Sequence, residues 1–194
     1  MTSAGKLTGA FAVALLLGTT VHSIASAESM PTSMSNPMVG GMAMSARKDI
    51  IHNAAVSNDN KTLVAAVKAA GLVATLKGKG PFTVFAPTDE AFAALPEGTV
   101  STLLKPENKA MLTKVLTYHV VPGKLDFVAL RSQITAGGGK AILKTVAGST
   151  LTAMMNGDRN IVLEDDKGNI AHISTYDVYQ SNGVIQVIDH VLMP

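Results

Sequence analysis

Gly80–Phe92 reads GPFTVFAPTDEAF, and the order of residue types in it decides the fold around it. Phe82 to Ala86 mixes aromatic and β-branched residues, which favours a strand. The breaker Lys77-Gly78-Lys79-Gly80-Pro81 fixes where that strand begins. Pro87 ends it, because proline has no amide hydrogen to give to a ladder. Thr88 and Asp89 are capping residues, so a helix is predicted over Glu90–Leu95, with Phe92 anchoring it to a core.

N-terminal to this stretch the pattern is helical. Asp49–Val56 has helix-spaced apolar positions with Asp49 at the positive end. Residues 62–70 (TLVAAVKAA) form a second helix, with Asn60 as cap and Gly71 as stop. A short turn, Val73–Leu76, precedes the breaker. C-terminal to the strand, Thr99–Leu104 is helical. Pro106 starts a further helix that runs to Thr117, with Met111, Leu112, Val115 and Leu116 on its apolar face. Phe127, Leu130 and Ile134 mark one more short helix or turn.

The remainder is β. Strands are predicted over Ala141–Thr145, Thr150–Met155, Ile161–Leu163, Ile170–Ser174 and Gly183–Ile188, with Asp177–Tyr179 as a separate edge strand. Asn156-Gly157 is a hairpin signal, and the acidic group Glu164, Asp165, Asp166 reads as a solvated turn. Helices first and strands second give an α+β fold: a twisted β-sandwich of mainly antiparallel strands with helices on one side. Phe82, Val84, Phe85, Phe92, Val187, Ile188 and Leu192 are expected to share one core.

The first 46 residues have a different character. Lys6, the apolar run Ala10–Leu17 and Ala25-Ser26-Ala27 make the three parts of a secretory signal peptide over residues 1–27. Eight apolar residues reach about 12 Å as a helix, too short to span a bilayer. The expected product starts at Glu28 and is secreted or periplasmic, without a membrane span. Residues 28–46 (ESMPTSMSNPMVGGMAMSA) then read as a flexible linker, and residues 47–194 as a single domain. The linker holds Met30, Met34, Met38, Met42 and Met44. Thioethers are soft ligands that select Cu(I), so these five are candidate metal ligands; an oxidisable tether is the competing reading.

The chain has no cysteine, so neither a disulfide nor a thiol nucleophile is available. Without Lys6 it has 15 basic and 14 acidic residues, interspersed. With so few aromatics and no basic stripe, nucleic-acid binding is excluded. His52, His119, His172 and His190 form no metal-ligand spacing along the chain, and each is expected to make a buried structural hydrogen bond. Gly137-Gly138-Gly139-Lys140 lacks the spacing of a phosphate loop. No cofactor is called for, and the chain is expected to be non-enzymatic.

Three segments together resemble the fasciclin (FAS1) domain family. Gly80–Phe92 is similar to its first signature segment. Tyr118–Gly123 (YHVVPG) is similar to its central Tyr-His motif, and Gly183–Leu192 (GVIQVIDHVL) to its closing segment. Their order matches the family over about residues 47–194. The resemblance implies a β-sandwich wedge flanked by short helices, as in the small single-domain bacterial members. It implies cell adhesion or protein–protein interaction, with an extracellular or envelope protein, a polysaccharide or a second copy as partner. The motif positions Thr88, Asp89, Tyr118, His119, Asp189 and His190 are the interaction candidates it carries over. Animal members are described as integrin ligands through Asp-Ile-type and Tyr-His-type motifs; Asp49-Ile50 lies away from the animal Asp-Ile position. The alternative function is periplasmic copper handling through the methionine segment.

Overall fold

The computed structural model describes residues 36–194. A two-residue hairpin comes first, β1 (Met38–Val39) paired with β2 (Met42–Ala43). The helices α1 (Ile50–Val56), α2 (Lys61–Ala70) and α3 (Val73–Leu76) follow. Asp49 caps α1 by accepting from the His52 amide at 2.8 Å, and Gly71 ends α2 in the left-handed conformation, φ 76°. Strand β3 (Phe82–Pro87) leads into α4 (Asp89–Ala93) and α5 (Thr99–Leu103). A 3-10 turn at Pro106–Asn108 opens α6 (Lys109–Tyr118), followed by β4 (Val120–Pro122) and α7 (Phe127–Ala136).

Strands β5 (Lys140–Lys144), β6 (Thr150–Asn156), β7 (Asn160–Glu164), β8 (Ile170–Gln180) and β9 (Gly183–Ile188) complete the chain. The sheet order is β4-β3-β9-β8-β7-β6-β5, antiparallel except for the parallel pair β3–β9. That pair runs in register from Phe82↔Gly183 to Pro87↔Ile188, so two of the three signature segments lie side by side. Gly183 is required there: a Cβ on it would sit 2.0 Å from the Phe82 carbonyl oxygen.

Strand β8 departs from the expectation of two separate pieces. It is one 11-residue strand, and it is central, not an edge. Residues 170–172 pair with β7, and residues 173–180 with β9. Between them the register slips twice, between Ile173 and Thr175 and again between Thr175 and Val178. Such bulges bend a strand and raise its twist, and here they carry β8 from one sheet layer into the other. The β5–β6 turn then reaches back to the opposite edge, where the Val146 amide donates to the Val120 carbonyl at 2.8 Å.

The single expected core is two cores. Successive side chains of a strand point to opposite faces, and β3 and β9 lie between the helices and the sandwich interior. Val84, Phe92 and Val187 therefore join the helical core with Leu63, Leu112 and Leu116, and Phe82 packs at its margin. Phe85, Ile188 and Leu192 join the sandwich core with Tyr118, Leu130, Leu151 and Leu163.

The segment expected to be a flexible linker is also corrected in its second half. Val39 and Met44 are buried in the helical core. The Met44 amide donates to the Pro37 carbonyl at 2.9 Å, and Asn58 Nδ2 donates to the Gly40 carbonyl at 2.9 Å. Apolar burial of Val39 and Met44 holds the hairpin down, so residues 38–44 belong to the folded body. The leader expected over residues 1–27, and Met30 and Met34, lie outside the described residues.

Candidate functional site

The first motif corner joins β3, α4 and the start of α2. Thr88 caps α4, accepting from the Ala91 amide at 3.2 Å. Asp89 does not cap its own helix. Its carboxylate accepts from the amides of Thr62, at 2.8 Å, and Lys61, at 3.3 Å, at the start of α2. That placement puts a negative charge on a helix N-terminus with orphan donors. Asn60, the cap read from sequence, makes no capping bond; its Nδ2 donates to the Pro87 carbonyl at 3.0 Å and its Oδ1 accepts from the Ser57 hydroxyl. A cleft of about 220 Å³ lies here, lined by Asn58, Asp59, Thr88, Asp89 and Glu90.

The Tyr118-His119 motif is internal. Tyr118 is fully buried, donates from its hydroxyl to the Thr150 carbonyl at 2.7 Å and accepts from the Asp166 amide at 3.1 Å. Burial pushes its pKa up to about 12. His119 is buried at the end of α6. Its Nδ1 lies 2.8 Å from the Val115 carbonyl and its Nε2 3.0 Å from the Leu192 amide nitrogen. A carbonyl only accepts and an amide only donates, so the ring carries its proton on Nδ1 and is neutral. Burial pulls its pKa down to about 4, against the Val115 hydrogen bond and the Asp165 charge, which raise it. A side chain so enclosed fixes the turn between α6 and β4; it offers nothing to a partner.

Asp165 replaces the solvated turn expected at Glu164–Asp166. Its carboxylate is buried and accepts from the Lys167 and Asn169 amides, from Asn169 Nδ2 and from the Met193 amide, at 2.9 to 3.0 Å. Burial raises its pKa, but these bonds outweigh it and hold the group below the usual carboxylate range. His119 and Asp165 thus grip the C-terminal segment at consecutive residues, Leu192 and Met193. Nothing in the local sequence signals this, because the partners lie 73 and 28 residues apart.

The histidines outside the core differ from expectation. His52, His172 and His190 are exposed. His172 and His190 converge on Asp189, with Nδ1–carboxylate distances of 3.1 and 2.8 Å. The chain separates His172 from Asp189 by 17 residues; the end of the β8–β9 pairing brings them together. Of the candidate copper ligands, Met44 is buried and unavailable. Met38 and Met42 are exposed, but the hairpin register pairs Met38 with Ala43 and Met42 with Val39, which places them on opposite faces.

A second concave surface, not anticipated from sequence, lies where α7 meets the bend of β8. It is an open groove of about 400 Å³ lined by Phe127, Arg131, Arg159, Tyr176 and Asp177. Phe127 and Tyr176 meet edge to face, with ring centroids 5.3 Å apart. Asp177 has φ 57°, the described non-glycine residue in the left-handed region. Buried Gln186 holds it there: Oε1 accepts from the Asp177 amide at 3.0 Å and Nε2 donates to its carboxylate at 2.9 Å. The Asp177 carboxylate also accepts from the Phe127 amide at 2.8 Å, which locks α7 to the bulge.

A family model for the fasciclin domain matches residues 58–194, which include all three motif segments. The chain belongs to the fasciclin family. This fasciclin domain is 46% identical over 165 residues to protein sll1483 of Synechocystis, covering 85% of this chain and 84% of that protein. It is 36% identical to the transforming growth factor-beta-induced protein ig-h3 of Sus scrofa over 72% of this chain, but spans only 18% of that longer protein. It is 36% identical to the immunogenic protein MPB70 of Mycobacterium bovis, over 63% of this chain and 54% of that one. The FAS1 domain pair of the insect cell adhesion molecule fasciclin I matches with a TM-score of 0.48 and 20% identity, over 73% of this chain and 43% of that one. No helix among the described residues is long and apolar enough to cross a membrane.

Proposed function

We propose that this fasciclin domain is a non-enzymatic, extracytoplasmic interaction module whose binding face is the Arg131–Arg159 groove. The observation that carries the reading is the division of labour among polar residues. Tyr118, His119, Thr88 and Asp89 are spent on internal hydrogen bonds, whereas the groove presents two exposed arginines beside a fixed aromatic pair. Arginine and tyrosine are the residue types that dominate binding energy at interfaces. The Tyr176 ring is already immobilised, since its hydroxyl accepts from the Ile161 amide at 2.7 Å, so little entropy is lost on binding. Guanidinium groups pair with carboxylates in a forked geometry, so the partner is an extracellular or envelope protein with an exposed acidic segment.

Beads coated with the purified chain test this against cells or envelope fragments of the source organism. Adhesion is expected to survive deletion of residues 28–35 and to be lost on reversing both arginines, Arg131→Glu with Arg159→Glu. Adhesion unchanged by the reversal refutes the groove. Stoichiometric Cu(I) uptake lost with residues 28–35 would instead favour copper handling by the methionine segment.

A further inference from the structure

The geometry points to a divalent transition-metal site built from His172, Asp189 and His190. Three potential ligand atoms, one from each residue, lie within 4.8 Å of one another. The Asp189 carboxylate stands between the two imidazoles, Oδ2 at 3.1 Å from His172 Nδ1 and Oδ1 at 2.8 Å from His190 Nδ1. An ion with bonds of about 2.0–2.1 Å to nitrogen and oxygen separates tetrahedral ligands by about 3.4 Å. The cluster is therefore close to the required spacing, and rotations about the side-chain torsions of two exposed histidines supply the rest.

The carboxylate is held in place by backbone. The Asp189 amide donates to the His172 carbonyl at 3.1 Å, and Asp189 Oδ1 accepts from the His172 amide at 2.7 Å. These bonds extend the β8–β9 pairing by one step and tie the two residues together before any ion arrives. The Asp189 carboxylate accepts both from the His172 amide and from His190 Nδ1. Each Nδ1 now donates to a carboxylate, which can only accept. On binding, each imidazole carries its single proton on Nε2 instead, exchanged through solvent, and offers the Nδ1 lone pair to the ion.

Two imidazoles and one carboxylate suit borderline ions such as Zn²⁺, Ni²⁺ and Cu²⁺ rather than Mg²⁺ or Ca²⁺, which prefer all-oxygen shells. All three side chains are at least two-fifths exposed, so further coordination positions face solvent. The site is distinct from the methionine segment, whose thioethers are poor ligands for Zn²⁺, and it stands independently of the arginine groove.

Zn²⁺ titrated calorimetrically into the purified, tag-free chain tests the site; with no cysteine present, no thiolate competes. One ion per chain is expected, with a micromolar dissociation constant. Combining His172→Gln with His190→Gln should weaken uptake at least about tenfold. His52→Gln should leave it unchanged, since the Asp49–His52 pair is a separate contact with two donors. In carbon–proton NMR spectra of the unsubstituted chain, the rings of His172 and His190 should shift with Zn²⁺ while those of His52 and His119 hold. This readout decides the matter even if the double variant does not fold. Absence of saturable uptake, uptake unaffected by the double substitution, or ring shifts confined to His52 would each overturn the site.

Discussion

Acidification should destabilise this protein in a window that belongs to His119. The ring is neutral in the fold, donating from Nδ1 to Val115 and accepting at Nε2 from Leu192. Protonating Nε2 breaks the second bond and places a charge in a site closed to water. In the unfolded chain the same ring takes a proton near 6.5, whereas in the fold it does so only near 4. Stability rises with pH wherever the unfolded state binds more protons. The contribution is therefore fully present above about pH 6.5, falls as pH drops towards 4, and levels off below that. The interval between the two values corresponds to about 3 kcal/mol, a large part of the roughly 5–15 kcal/mol that holds a typical domain together. Urea midpoints measured at closely spaced pH values, converted to free energy, give the unsubstituted curve. The same series on His119→Gln gives a curve without that titration. The variant should be less stable at neutral pH, by about 1–3 kcal/mol, because a flexible glutamine amide does not hold the Val115 carbonyl and the Leu192 amide together as the rigid ring does. The difference between the curves should shrink as pH falls from 6.5 to 4, all other titrating groups being common to both. A difference that stays constant across that window would refute the buried neutral assignment.

The two-core arrangement predicts that Phe85→Ala and Phe92→Ala each cost about 3–5 kcal/mol, and that the costs add to within about 0.5 kcal/mol in the double variant because the rings lie in separate clusters; a larger coupling measured by chemical denaturation would show a shared core. Gly183→Ala forces a methyl group against the Phe82 carbonyl, and a loss of about 3 kcal/mol is expected, whereas an unchanged midpoint would count against the close β3–β9 approach. Export should remove residues 1–27, so N-terminal sequencing of the exported protein should read from Glu28; a product that still begins at Met1 would contradict the leader assignment.

Periodicity and punctuation carried the local structure. Proline and glycine ended the elements around Gly80–Phe92 where the backbone demands it, and the helices 50–56, 61–70 and 127–136 follow from apolar spacing. The three motifs were enough to identify the family, because their order and spacing are properties of the chain. Contacts between distant segments were not legible. Asp89 looks like a cap for the helix it begins, yet it serves α2, 27 residues earlier. Asp165 looks like one of three acids in an exposed turn, yet only the path of the C-terminal segment brings Met193 to it.

The division into two cores shows where the boundary falls. Alternation along β3 and β9 states that Val84 and Phe85 face opposite ways, but not that both faces are covered. That depends on helices packing on one side and a bulged β8 folding the second sheet layer over the other. The same bend builds the groove at Asp177, and the end of the β8–β9 pairing sets His172 beside Asp189. By itself, then, the sequence determined most of the elements, their order and the family, since each depends on residues near one another in the chain. The tertiary structure alone decided which polar groups are buried and which converge at the surface, since register, bend and layer packing are set by contacts between segments far apart in the chain.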